Sequence, residues 1–316
     1  MASRRRARTR ARAVTGARPS AVFPHRHVPI EGVGASRMAG ALELGAPLAL
    51  GQRGLVVAPP GTGATTVLQW LGAAVVRSVP GAEVQVVLVD RPVEELIDWR
   101  EAIPTAEIFG TTSEASGPEE HAALDRPFIA AAAKSRLGTD VVLLVDSLAA
   151  FARALAATRG IDDPRVLDGG LPQVALRELR SLFGLARATP GTGGGSLTII
   201  ASVQVETAQQ LDEAVLHELV GTGNVEWRLD ADAFRAGAFP PVDIIASGAR
   251  HAELIVGDAD ADRRGALRAR LDAHGSLGGL ALLLQELDDL GSLERVLTES
   301  SFRSGGGDEQ SPTWPT

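Results

Sequence analysis

Four stretches of the chain are apolar almost without interruption: Gly54–Ala58 (GLVVA), Val84–Asp90 (VQVVLVD), Val141–Asp146 (VVLLVD) and Leu197–Val203 (LTIIASV). A strand with one face in water alternates apolar and polar side chains, so a continuously apolar strand is covered on both faces. The segments between them read as helices, over Thr65–Ser78, Val93–Ile103 and Glu119–Leu137, with a short strand near Glu107–Gly110. Strands alternating with helices in this way specify an α/β fold with a mostly parallel, doubly wound sheet. The 316 residues suit one large domain or two small ones. No internal repeat is visible.

The ends read differently from the body. Residues 1–20 carry Arg4, Arg5, Arg6, Arg8, Arg10, Arg12 and Arg18 and no acid, a local charge of +7. The rest of the chain holds 24 basic against 39 acidic residues, about −15. A basic arm with so few apolar groups is expected to be disordered, with a linker running to about Gly34. Electrostatic attachment to RNA or another polyanion and a plain solubilising tail are equally open readings of it. The boundaries expected are an arm and linker over 1–36, a folded domain over 37–300 and a loose tail over 301–316, rich in Gly, Ser and Pro. No apolar run approaches the ~18 residues of a membrane span, and no hydrophobic stretch follows the arginines as in a secretory signal.

Chemistry concentrates after the first strand, where Ala58–Thr66 reads APPGTGATT ahead of a helix. Backbone amides of a Gly-rich turn form an anion nest, and a helix N-terminus adds partial positive charge. The candidate nucleotide-binding residues are therefore Pro60, Gly61, Thr62, Gly63, Ala64, Thr65 and Thr66. The usual loop ends in Gly-Lys-Ser/Thr; here Ala64 occupies the lysine position. Taken alone, a structural turn is as good a reading. Asp146, closing VVLLVD, strengthens the phosphate reading, since an acidic residue there helps hold magnesium with the loop hydroxyl, here Thr65. A helix N-cap is the plain alternative for Asp146. Among the 31 Lys and Arg there is a single lysine, Lys134, placed before the third long strand at the wrong sheet edge for a phosphate. Arg53 shares that edge, whereas Arg91, directly after the second strand, is the best-placed substitute cation.

Several longer blocks follow one another in a fixed order: GQRGLVVAPPGTG (Gly51–Gly63), LLVDSLAAFARA (Leu143–Ala154), LFGLARATPGTGGGSLTIIASV (Leu182–Val203), GTGNVEWRL (Gly221–Leu229) and AFPPVDIIASGAR (Ala238–Arg250). From about Arg37 to about Leu297 the chain resembles the ATPase domain of the bacterial transcription termination factor Rho. Rho proteins are hexameric, RNA-stimulated ATPases that translocate along nascent RNA and release it from RNA polymerase. The resemblance implies a RecA-like P-loop NTPase fold with a small C-terminal helical region, ATP and Mg2+ as ligands, and a cytoplasmic location. It also implies RNA and RNA polymerase as partners and a homo-oligomeric ring, or a mixed ring with a genuine Rho. About 36 residues precede the match, too few for the OB-type RNA-binding domain that Rho carries there.

By the same resemblance, Ala64 and Gly61 stand where the family has lysines, and the family's water-polarising glutamate falls on Asp90. An RNA-contacting lysine falls on Val220 and another family arginine on Ala246. Arg250 matches the arginine finger that reaches a neighbouring subunit's nucleotide, Phe239 the ring stacked on adenine, and Arg165 an RNA-contacting lysine of a channel loop. The bland alternatives are a surface arginine, a buried Phe and a solvated loop arginine. The resulting expectation is a divergent, ATP-binding Rho homologue with an impaired site, a pseudoenzyme acting through protein and RNA contacts. The alternatives are an active RNA-dependent ATPase or helicase using Asp90, Arg91 and Arg250, and a nucleotide-sensing structural protein with no RNA role. Other chemistries find little support: the chain has no cysteine, its 6 histidines are scattered, and no Gly-x-Ser-x-Gly elbow occurs.

Overall fold

The computed structural model describes residues 22–30, 36–112, 121, 123–159, 172–189, 194–207 and 209–303. The arginine arm, with Arg4, Arg5, Arg6, Arg8, Arg10 and Arg12, lies outside the described residues, as does Arg165.

The four apolar runs become β1 (Arg53–Ala58), β2 (Glu83–Arg91), β4 (Val141–Asp146) and β6 (Ser196–Gln204), all mutually parallel neighbours within one sheet. With β3 (Glu107–Thr112), β5 (Arg187–Ala188), β7 (Val225–Arg228) and β8 (Gly248–Ala249) they make an 8-stranded sheet, ordered β3-β2-β4-β6-β1-β7-β8, with β5 beside β6. Only β5 and β8 pair antiparallel. The uninterrupted apolar pattern now has its cause. On β4, Val141, Leu143 and Val145 face a core built with helices 126–136, 148–159 and 173–183, while Val142 and Leu144 face a second core under helices 64–78 and 93–102. Every side chain of the strand is buried.

Two sequence expectations are corrected. The helix expected over Glu119–Leu137 runs over Arg126–Arg136, with Pro127 in its first turn and residues 123–125 in a turn before it. A proline is favoured at that position because the amide it lacks has no helical partner there. The stretch read as a linker is, over residues 22–30, packed onto the body. Val28 and Ile30 are fully buried, Val22 bridges Ala188, and Arg26 pairs with Asp140 at 2.8–3.0 Å.

The C-terminal helices 258–272, 275–290 and 293–303 form a third apolar cluster with helix Ser36–Gly45. Arg268 joins this layer to the sheet. Its guanidinium donates to the carbonyls of Leu44 (3.2 Å), Gly45 (2.7 Å), Ile245 (3.2 Å) and Ser247 (2.7 Å). It thereby satisfies a helix C-terminus and the turn that leads into β8. Burial pushes the Arg268 pKa down, with Asp243 opposing. Arg268→Ala strands these acceptors and is expected to cost about 2–3 kcal/mol in urea unfolding; an unchanged midpoint would show that the two layers hold together without it.

Candidate functional site

Parallel strands end at one edge, and there the sequence-selected residues gather. After Ala58 the chain enters the Gly-rich loop. Gly61 and Gly63 have φ of 78° and 93°, a region that penalises any side chain with a Cβ. Thr62 is buried, and its hydroxyl donates to the Pro59 carbonyl at 2.7 Å, which fixes the loop from inside. Gly63 is the N-cap of helix Ala64–Ser78, which has no acidic residue in its first turn, so its free amides and positive dipole end stay uncompensated by side chains. A Cβ on Gly63 would stand 3.2 Å from the Phe239 ring, which places Phe239 against the loop. Pro60 and Gly61 are exposed and Thr66 is half-buried at the start of the helix.

Asp146 ends β4 and is 1% exposed. One strand, β6, separates β4 from β1. Thr65 Oγ1 donates to Asp146 Oδ2 at 2.7 Å. Ser202 Oγ, from β6, donates to Oδ1 at 2.6 Å, and Arg91 Nη2 donates to the same oxygen at 2.5 Å. Arg91 also reaches Glu95 Oε1 at 3.4 Å. The register of β2 on β3 shifts between Leu88 and Arg91, and Asp90 sits within that shift at φ 52°. Asp tolerates this region better than most side chains. The guanidinium that follows it is thereby placed over the end of β4.

Asp90 itself points elsewhere. Its carboxylate accepts from Thr111 Oγ1 at 3.0 Å and pairs with His121 Nε2 at 2.9 Å. Burial raises the Glu95 pKa; Arg91 opposes this, while Asp146 and Asp98 add to it. The residue types of a magnesium site, Thr65 and Asp146, are therefore present and adjacent. Thr65 gives its one proton to Asp146 and keeps its oxygen lone pairs, so the pair fits a divalent ion, with Thr65 Oγ1 as the residue that would hold it and Asp146 positioning that hydroxyl.

Arg250 lies at the opposite edge of the sheet, just beyond β8 and level with the start of β7. It lines a cleft of about 830 Å³ with Arg53, Arg187, Asn224, His251 and Phe23. None of its three arginines has a carboxylate partner among the described residues. Burial lowers the Arg53 pKa, and the neighbouring charges of Arg187 and Arg250 add to that. The single lysine is also at this edge, where Lys134 pairs with Glu83. Among the described residues no group of His, Asp and Glu side chains has metal-binding geometry, and no helix is long and apolar enough to cross a membrane.

Sequence reasoning missed Ser202, Glu95, Thr111 and His121. Ser202 carried a signal, as a hydroxyl inside an otherwise apolar strand. Glu95 carried one too, four residues after Arg91, whereas Thr111 and His121 meet Asp90 only through β2–β3 pairing and a contact distant in sequence.

Residues 40–249 match the ATP synthase alpha/beta family, nucleotide-binding domain. Transcription termination factor Rho of Streptomyces coelicolor is 38% identical over 269 residues, 84% of this chain and 63% of that protein. Its counterpart in Aquifex aeolicus is 35% identical over 246 residues, 77% of this chain and 55% of that protein. The chain spans between 34% and 63% of the length of such relatives. Among solved structures, an ATPase of the type III secretion system of pathogenic bacteria superposes with TM-score 0.67 at 19% identity, covering 90% of this chain and 79% of that one. The ATP synthase subunit NeqB of Nanoarcheaum equitans gives 0.64 at 16%, covering 87% and 67%. These two likenesses establish the fold.

Two outcomes follow from the site. Arg91→Ala leaves a buried carboxylate without its cation and is expected to cost ~3 kcal/mol, most of it recovered by adding Asp146→Asn; urea unfolding of the four forms of this cycle measures it, and simple additivity would contradict the pairing. Glu95 has a raised pKa, so its burial penalty grows as pH rises through that pKa and vanishes in acid. Glu95→Gln is therefore expected to melt slightly higher than the parent at pH 7, by less than ~1 kcal/mol, and to match it below the ordinary glutamate range. Thermal melts across pH check this, and an advantage that persists in acid would contradict it.

Proposed function

The chain belongs to the ATP synthase alpha/beta nucleotide-binding family as a divergent homologue of transcription termination factor Rho, and on that premise we propose that it is a nucleotide-binding protein impaired in hydrolysis, acting through protein and RNA contacts. The observation that carries this reading is the contrast within the loop: its phosphate-cradling backbone is intact while Ala64 leaves it without a lysine. Amides of residues 61–65 and the helix N-terminus are the groups available to hold phosphates. Phe239, whose ring lies against Gly63, is the residue taken to wall the base.

Catalysis needs charge aimed at the transferring phosphoryl, and even one neutral donor of that kind contributes ~10²–10³ in rate. The missing lysine removes more than a neutral donor. Asp90 is shorter than the glutamate of the family and is engaged by Thr111 and His121; a misplacement of ~1 Å can cost ~10²-fold. The two losses do not simply add.

Arg250 is separated from the chain's own loop by the length of the sheet, so any nucleotide it touches belongs to another chain. Three clustered guanidiniums without carboxylates favour an anionic partner at that face. This supports assembly in a ring, alone or mixed with a genuine Rho. The arginine arm is the candidate RNA contact.

An active ATPase is the second reading, favoured by Arg91, whose guanidinium stands beside Asp146 at the phosphate edge. Calorimetry with ATP and a phosphate-release assay with and without RNA separate the two. The expected result is measurable ATP binding with RNA-stimulated turnover at least ~10²-fold below that of an ordinary Rho. Ala64→Lys with Asp90→Glu is expected to raise turnover by ~tenfold or more. Turnover comparable to Rho in the parent chain would overturn the impaired reading in favour of the active one, and absence of ATP binding would overturn both.

A further inference from the structure

Four buried side-chain atoms have no hydrogen-bond partner among the described residues: Gln85 Oε1, Glu95 Oε2, Trp99 Nε1 and Arg270 Nε. Glu95 Oε2 and Trp99 Nε1 belong together. Both residues lie on the helix Val93–Ala102, four positions apart and hence on one face. One offers an acceptor and the other a donor. A helical side chain leans toward the N-terminal end of its helix, so the fully buried indole of Trp99 reaches back over the turn that carries Glu95. Buried donors and acceptors are nearly always paired, and two complementary ones left open a turn apart need a reason.

The reason lies on the other side of Glu95. Its Oε1 accepts from Arg91 Nη1 at 3.4 Å, at the outer limit of a hydrogen bond, while Asp146 holds Arg91 Nη2 at 2.5 Å. Glu95 is thus the loosely held end of this cluster and Asp146 the fixed end. A phosphate arriving beside Arg91 competes for Nη1 and repels the Glu95 carboxylate. Rotation of the Glu95 side chain toward Trp99 then gives the displaced carboxylate a donor and the indole an acceptor.

We infer that Glu95 is a positioning residue with two partners: Arg91 while the Gly61–Thr65 loop is empty, and Trp99 once the phosphates of a nucleotide engage Arg91. The exchange rests on the nucleotide-binding reading above and leaves Thr65 free to hold magnesium. It makes a core indole report on the state of the loop.

The test follows the indole N–H resonances of the full chain by NMR, before and after saturation with the non-hydrolysable ATP analogue AMPPNP and Mg2+; the Trp99 peak is the one that Trp99→Phe removes. A downfield shift of that peak is expected in the parent, as the indole gains an acceptor, and none in Glu95→Ala. Trp99→Phe is expected to weaken AMPPNP binding ~tenfold in calorimetry, the value of one hydrogen bond to a charged group. A Trp99 peak that stays in place with nucleotide bound, a shift equal in Glu95→Ala, or a loss of affinity below ~twofold in Trp99→Phe overturns the inference. If calorimetry shows no nucleotide binding, the nucleotide reading fails, and the pair is judged without ligand. Arg91→Ala, with Asp146→Asn added where the single variant does not fold, releases Glu95 and is expected to move the Trp99 peak downfield at rest; a peak left at the parent's position overturns the exchange.

Discussion

The ion pair between Arg91 and Asp146 is the constraint on which the site depends. A carboxylate that is 1% exposed needs a partner, and a mostly parallel sheet brings the end of β4 beside the ends of β2 and β6. The bend of β2 at Asp90 delivers the guanidinium, and Ser202 and Thr65 complete the shell. The Gly-rich loop is tied to the same centre through Thr65. Loop, strand ends and cation therefore form one connected unit, in which a change at one member is felt by the others.

The two sheet edges differ in charge and so in what they can meet. At the phosphate edge the cation is neutralised by Asp146 and Glu95, and the loop offers backbone amides rather than a side-chain charge. At the far edge Arg53, Arg187 and Arg250 stand together with no carboxylate partner among the described residues, beside the strap of residues 22–30. The single lysine takes no part, being paired with Glu83. The planar fork of Arg91 suits the buried pair with Asp146 better than an ammonium would.

Most of the fold was legible because both-faces burial writes a strong signal: β1, β2, β4 and β6 lie within a residue of their expected bounds. The loop and Asp146 were legible because their chemistry follows strand order. What sequence could not show was pairing in space. Ser202 meets Asp146 only because β6 lies beside β4, and His121 meets Asp90 from 31 residues away in the chain. The strap over 22–30 was read as linker from the Pro and Gly of that stretch, while Val28 and Ile30 are too few apolar residues to register as an element. The overlong helix ending near Leu137 came from extending the pattern past Pro127, whose place near a helix start was the available cue.

The central claim is that the phosphate-binding scaffold persists although Ala64 leaves it without a lysine. A crystal structure of the full chain with ADP, grown in Mg2+, tests it most directly. The account predicts ADP with its phosphates on the backbone amides of the Gly61–Thr65 loop and the ring of Phe239 beside the nucleotide. A loop left empty at saturating ADP would contradict it.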